Sequence, residues 1–246
     1  MTIAQHLHRL RALRRDTGGL AMMEFAFTLP IILAMGGYGT ELSFLALTNL
    51  RVSQYALNLA DNASRVGVEA GAGVTQLREV DIADVLQGTR KEGEIIDLTS
   101  NGRVILSSLE NVQQSFDTRR VQRIHWQRCV GLKGASGANR ADFRSHYGTT
   151  DALDGTDNTS ANKGTNRAAG MGEAGQEVNA MADAGVMFVE VNYQYTPLFG
   201  TMFVNPTVIR YTASFIVRDN RDFTQIYNPD PAVDTGDKLT CNRYTT

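Results

Sequence analysis

Residues 18–38 read GGLAMMEFAFTLPIILAMGGY, and this stretch decides how the chain is organised. The run from Leu20 to Tyr38 is apolar and long enough to cross a bilayer core as a helix, which takes about 20 residues. Four arginines precede it, at Arg9, Arg11, Arg14 and Arg15. Basic residues stay on the cytoplasmic side of a membrane, and no comparable apolar run follows. We therefore expect the rest of the chain to lie on the outer side.

One carboxylate interrupts this apolar run. Glu24 stands five residues after Gly19, and a carboxylate in hydrocarbon costs about 2.5–3.5 kcal/mol on insertion scales. If the chain were cut after Gly19, the new amine on Leu20 would be a good partner, and Glu24 would be the fifth residue of the mature chain. A plain signal anchor with an accidental glutamate is the alternative. A secretory signal is disfavoured because its apolar region lacks acids and ends at an Ala-x-Ala-like site.

The leader and the start of the apolar run resemble a known family. Residues 14–25, RRDTGGLAMMEF, resemble the prepilin-type leader of TadE/TadG-like proteins of the tight-adherence (Flp) type IV pilus system. In that family a basic leader ends in Gly, Glu follows five residues on, and an aromatic residue comes next, here Phe25. The continuation FAFTLP is similar to the family's signature.

This resemblance implies that a prepilin peptidase removes leader 1–19 between Gly19 and Leu20. It also implies that Glu24 and Phe25 act in subunit packing or filament assembly. The chain would be a minor pilin or pseudopilin of the inner membrane with a periplasmic C-terminal domain, and it would become extracellular if it entered a pilus. Its expected partners are the peptidase, other pilins, pilus assembly platform proteins and inner-membrane lipid.

The apolar run continues into an amphipathic pattern. Pro30 and the glycines at 36, 37 and 39 predict a bend. Beyond them, apolar residues recur at steps of three and four, at Leu42, Leu45, Val52, Ala56, Leu59, Ala63 and Val66. This spacing predicts one helix from about Leu20 to Val66, with a transmembrane part over 20–40 and a stalk over 41–70. We expect the stripe to lie on the soluble domain; a partner helix is the alternative.

Residues 71–246 predict an α+β domain. Strand patterns at 104–109, 121–129, 189–195 and 208–217 indicate an antiparallel sheet with the helix packed on one face. Residues 131–185 are rich in Gly, Asn, Thr, Ala and Asp, which predicts a long, mobile, irregular insertion with at most a short helix over 173–183. The family resemblance extends to residues 124–131, 191–199 and 211–221, and it does not cover the insertion.

The chain has two cysteines, Cys129 and Cys241. Both are expected in the periplasm, where disulfides persist, and we predict that they form a bridge that ties the irregular C-terminal tail to the sheet. Two free thiols are the alternative.

Several functional classes are disfavoured. A net charge of −2 argues against nucleic-acid binding. We predict no metal and no cofactor, although Asp151, Asp154 and Asp157 are a weak alternative for calcium. His125 and His146 have no acid or nucleophile at a telling spacing, so we predict no enzyme, and an anchored hydrolase is the weakest hypothesis. A cell-adhesion module that uses residues 131–185 at a pilus tip is the second hypothesis.

Overall fold

The computed structural model describes residues 18–136, 140–150, 152, 162–230 and 232–246. The predicted leader through Thr17 lies outside the described residues, and so do the three aspartates considered for calcium. The chain divides into two units. One unit contains the N-terminal part of the chain through Ala46 together with Pro197–Asn205, and the other contains Leu47–Thr196 and Pro206–Thr246.

One long helix, α1, runs Gly18–Arg65 and confirms the predicted helix. It continues through Pro30, although the proline ring removes one backbone donor. The helix ends just before Gly67, whose φ of 151° disfavours a side chain.

The C-terminal part of α1 buries the centre of the predicted apolar stripe. Val52, Ala56, Leu59 and Ala63 are each at most 3% exposed, so this stretch packs within the unit that contains the sheet, as expected. The N-terminal end of the predicted stripe is not buried, since Leu42 is 40% exposed. The buried face within the second unit begins at Thr48.

A second helix, α2, runs Glu79–Glu92 and was not predicted from the sequence. Its start is stabilised by Asp81, whose carboxylate accepts a hydrogen bond from the Arg78 amide at 3.1 Å. Acidic residues in a first helical turn also complement the helix dipole. Its buried apolar side chains are only Ile82 and Leu86, too few for a clear periodic signal. A 3-10 turn, Gly93–Ile96, and a short helix α3, Leu98–Asn101, lead into the sheet.

The sheet has five antiparallel strands, which confirms the α+β class. In chain order its strands are β3 (Gly102–Val112), β4 (Val121–Val130), β5 (Thr165–Asn166), β6 (Gly185–Tyr195) and β7 (Thr207–Ile216). Two short strands, β1 (Val68–Glu69) and β2 (Thr75–Gln76), form a separate hairpin. The spatial order is β5-β4-β3-β6-β7, so the four predicted strands form the body of the sheet. The edge strand β5 arises from the insertion and was not predicted.

The two faces of the sheet have different covers. On one face the Tyr193 hydroxyl donates to the Ile96 carbonyl at 2.9 Å, and Arg128 pairs with Glu79 at the start of α2. The helical layer therefore covers this face.

The opposite face is covered by the described part of the insertion. Met171 and Ala180 pack there with Leu109, Ile124, Val186 and Phe188. The insertion is irregular as predicted, but these residues form a packed layer on the sheet. The stretch 173–183, where at most a short helix was expected, forms turns and has no helix. Three nearby glycines at positions 170, 172 and 175 have positive φ, which a helix does not allow.

Candidate functional site

The predicted cleavage site lies in the first turn of α1. A Cβ placed on Gly19 would meet nothing within 4 Å, and Leu20 is 59% exposed. The described part of the chain therefore imposes no steric need for glycine at position 19. Any such need would come from an enzyme that acts on this bond.

Glu24 and Phe25 lie about one turn further along the same exposed segment. Leu20 and Glu24 are four residues apart, which puts them on one face of the helix, about 6 Å apart along its axis. Phe25 is 59% exposed. Glu24 is exposed and forms no hydrogen bond or ion pair with any described residue. The structure therefore brings the predicted processing and assembly residues together on an accessible surface.

The apolar surface around Glu24 is not buried in the fold. Seven large side chains of this segment are 58–73% exposed, at Met22, Met23, Phe27, Ile31, Ile32, Leu33 and Met35. Among the described residues, α1 is the helix that is long and apolar enough to cross a membrane, with a mean hydropathy of 1.7 in its best window. None of that window is buried, whereas the core helix of a soluble protein is mostly buried.

The predicted disulfide between Cys129 and Cys241 is present. It fixes the C-terminal tail against β4, where the Cys129 amide donates to the Leu239 carbonyl at 2.7 Å and the Gly131 amide donates to the Thr245 carbonyl at 2.7 Å. The bridge therefore ties the irregular tail to the sheet, as expected.

Arg103 holds the same tail from the neighbouring strand. Its guanidinium is 2% exposed and donates to the carbonyls of Gly131 at 2.6 Å and Cys241 at 2.8 Å. It also lies 4.2 Å from the centre of the Tyr244 ring. Burial lowers the pKa of Arg103 to about 10, and it forms no ion pair with a described carboxylate.

A cavity of about 440 Å³ adjoins this disulfide. Arg103, Arg140 and Arg144 line it together with five hydroxyl side chains and two amides, at Ser145, Thr149, Thr150, Thr240, Tyr244, Gln127 and Asn242. Arg140 and Arg144 are exposed, and neither forms an ion pair with another residue in the described ranges. The cavity lining therefore combines three cationic side chains and several hydrogen-bonding groups with an apolar part formed by Ile105, Phe143, Ala152 and the disulfide.

No known protein family, curated protein or solved structure matches this chain. The site residues are therefore assigned from the sequence pattern and from the geometry.

His125 and His146, both in the sheet-containing unit, have carboxylate neighbours that the sequence analysis missed. His125 Nδ1 lies 2.5 Å from Glu110 on the neighbouring strand. The His146 amide donates to Glu190 at 2.9 Å, and the Ser145 hydroxyl also donates to Glu190. These contacts depend on strand register and loop packing, for which the spacing in the chain carries no signal.

Burial changes the proton affinity of this second group. It raises the pKa of Glu190 to about 7, against the hydrogen bonds from Ser145 and His146. Burial also lowers the pKa of His146. Ser145 bonds to the carboxylate and forms no hydrogen bond to a histidine ring, so these residues do not have the serine–histidine contact of a hydrolase. The part of the chain that the structure describes has no group of three His, Cys, Asp or Glu side chains suited to a metal ion.

Arg221 is another buried charge that the sequence analysis missed. It lies in the polar stretch that follows β7, yet it is only 6% exposed. Its guanidinium donates to the carbonyls of Ala63, Ser64 and Val66 at 3.3, 3.2 and 2.8 Å. These carbonyls belong to the C-terminal end of α1, where intrahelical donors run out. Arg221 therefore caps α1 from a segment distant in sequence.

Proposed function

We propose that this chain is a minor pilin or pseudopilin-like component of a tight-adherence pilus, which acts in pilus assembly or initiation at the inner membrane. The observation that carries the proposal is Glu24, an exposed carboxylate on an apolar helix, five residues after Gly19 and without a partner in the described chain. The resemblance of residues 14–30 to TadE/TadG-like leaders supplies the class of protein.

The chemistry of the proposal begins with hydrolysis of the Gly19–Leu20 peptide bond by a prepilin peptidase. Water adds across the bond, so the leader keeps the new carboxylate and Leu20 keeps the new amine. At neutral pH this amine is largely protonated. It would pair with Glu24 of its own chain or of a neighbouring chain and offset part of the cost of a carboxylate in lipid. Subunit pairing would then be coupled to processing.

The disulfide supports the proposed topology. Disulfides persist in oxidising compartments such as the bacterial periplasm, and the bridge joins two residues that follow α1. The arginines upstream of the apolar run favour a cytoplasmic N-terminus. Both features favour a single pass with the sheet-containing unit on the periplasmic side.

Mass spectrometry of the protein from a host with an active prepilin peptidase tests the processing step. We expect the parent chain to begin at Leu20 and a Gly19→Val variant to retain its leader. Gly36→Val is the matched control, because a Cβ at Gly36 also meets nothing within 4 Å, and we expect it to be processed. A parent chain that keeps Met1 in this host would contradict the proposal.

Purified pili test the assembly step. We expect Glu24→Gln to be processed normally but lost from pili or unable to support their initiation. Glu69→Gln is the control, since Glu69 is an exposed carboxylate in β1. Normal piliation by Glu24→Gln would remove the proposed role of this carboxylate.

A second candidate function is the binding of an anionic surface polysaccharide, and the arginine-lined cavity beside the disulfide favours it. Heparin binding by the purified chain provides the test. We expect an Arg140→Ala/Arg144→Ala double variant to lose binding and an Arg119→Ala/Arg218→Ala control of equal charge to retain it. Equal losses in both would indicate a general charge effect and count against the cavity.

A further inference from the structure

The loop between β6 and β7, Pro197–Asn205, exposes large apolar side chains in a fixed arrangement. It belongs to the same unit as the N-terminal part of α1 and contains no charged residue. Leu198 is 52% exposed, Phe199 46% and Met202 76%. Apolar side chains of this size on a well-held loop mark an interaction surface.

Glu41 holds this β6–β7 loop against α1. Its carboxylate is 0% exposed and accepts hydrogen bonds from the amides of Leu198 at 3.2 Å and Phe199 at 3.0 Å. Backbone amides that donate to a buried carboxylate form charge-assisted hydrogen bonds, which are stronger than neutral ones. The loop backbone is therefore fixed on the helix while its apolar side chains stay outside.

Aromatic packing fixes the far end of the loop. The ring of Phe203 lies 6.1 Å from that of Tyr38 and 5.8 Å from that of Phe199. A Cβ on Gly37 would come within 2.9 Å of the Phe203 ring. Glycine at 37 thus allows the loop to approach the helix at this position.

The charge pattern of α1 places this loop at the end of the apolar span. From Phe25 to Leu50 the helix has one charged residue, Glu41, and the loop covers it. This stretch is about 38 Å long at about 1.5 Å per residue, which exceeds the hydrocarbon core of about 30 Å and reaches into the headgroup region. With Leu20 at the inner edge, the core ends about 20 residues later, next to Glu41.

We propose that the β6–β7 loop inserts into the outer interface of the lipid bilayer, with Leu198, Phe199 and Met202 at the boundary between acyl chains and headgroups. The inference rests on the membrane anchoring of α1 proposed above. The exposed loop surface is continuous with the unburied apolar surface of the span through Tyr38 and Phe203. Tyrosine is enriched at this interface, and Tyr38 lies beside the loop. The coverage of Glu41 also removes the one charge of this part of α1 that would oppose lipid at this level.

Tryptophan fluorescence in liposomes tests the insertion. The native chain has one tryptophan, Trp126, which is 3% exposed, so the spectrum of the parent can be subtracted. Met202→Trp reports on the loop. Ile95→Trp is the matched control, because Ile95 is 73% exposed and lies in the sheet-containing unit. Phe27→Trp, at a position 71% exposed in the span, reports whether α1 is in the bilayer.

We expect brominated lipids to quench more than half of the emission added at 202 and at 27, and to leave the emission added at 95 unchanged. Iodide in solution should quench the emission added at 95 more than the emission added at 202 or at 27. Quenching by lipid at 27 but not at 202 would overturn the loop inference and leave the anchor intact. A lack of lipid quenching at 27 would overturn the membrane anchor itself. Shielding of 202 from both quenchers would show that another copy of the chain covers the loop, which would also overturn the lipid assignment.

Discussion

Removal of the disulfide should lower the free energy of unfolding by several kcal/mol. The bridge joins residues that are 112 positions apart. For a loop of this length, the chain-entropy model gives a stabilisation of about 4.8 kcal/mol at 25 °C. Whole domains are stable by only about 5–15 kcal/mol, so the bridge supplies a large share. We use a Cys129→Ala/Cys241→Ala double variant, since alanine leaves no free thiol and no buried hydroxyl.

The folded state should survive this change with a looser tail. The strands of the sheet pair with one another through their own backbone ladders, and no ladder pair includes the tail. The tail keeps its two backbone hydrogen bonds to Cys129 in β4 and to Gly131 just after it, together with its contacts with Arg103. We therefore expect the variant to be folded but less stable by about 3–5 kcal/mol, and amide exchange to rise first over residues 239–245.

Guanidinium unfolding in detergent measures this difference, with Trp126 as the probe because it is buried in the sheet. A reductant should lower the stability of the parent to that of the double variant and leave the double variant unchanged. A variant within about 1 kcal/mol of the parent would refute the entropic reasoning. Mass spectrometry of the parent under non-reducing conditions then decides whether the bridge had formed.

Three further substitutions test buried charges. Burial raises the pKa of Glu190 from 4.5 to about 7, so the folded protein holds this proton more tightly than the unfolded chain. The parent should therefore lose about 3 kcal/mol of stability as the pH rises from 4.5 to 7, and Glu190→Gln should remove that loss. Unfolding curves across this pH range provide the check. Arg221→Ala leaves three carbonyls at the end of α1 without their donor and should cost about 2–3 kcal/mol, whereas the exposed Arg218→Ala should be near neutral in the same assay. Glu41→Ala removes the acceptor for two loop amides and should raise protease cleavage within 197–205, while Glu41→Gln keeps one acceptor oxygen and should show an intermediate rate.

Elements with a strong local pattern could be predicted from the sequence. The long apolar run and the spacing from Val52 to Ala63 predicted α1, because a helix repeats its buried face every three to four residues. The alternation from Val189 to Tyr195 predicted β6 for the same local reason. Strand β3 was predicted as 104–109 but runs Gly102–Val112, since Arg103 and Glu110, just beyond the two predicted ends, are charged yet buried. Arg103 binds carbonyls of Gly131 and Cys241, and Glu110 contacts His125 on β4.

The difference between local patterns and tertiary contacts also decides which site residues could be predicted. The distance from Gly19 to Glu24 is a property of the chain, so the sequence shows it directly. The contacts of Arg221 with the end of α1 bridge more than 150 positions, and those of Glu190 with Ser145 and His146 depend on how the insertion packs. Sequence patterns carry no record of such pairings, because they follow from tertiary packing and not from periodicity.

The two carboxylates of the apolar part of α1, Glu24 and Glu41, differ in whether the described residues stabilise their charge with hydrogen bonds. Glu41 is fully buried and has two loop amides as donors, so the chain itself stabilises it. Glu24 has no such group within the described residues and is exposed on the apolar helix. If α1 spans a membrane as proposed above, the partner of Glu24 would come from the leader, from a new amine or from another chain. Cleavage after Gly19 would remove the leader arginines and create an amine about one helical turn from Glu24. Processing would therefore allow Glu24 to pair with the Leu20 amine of its own subunit or with the Leu20 amine of a neighbouring subunit. The pairing between subunits would favour assembly.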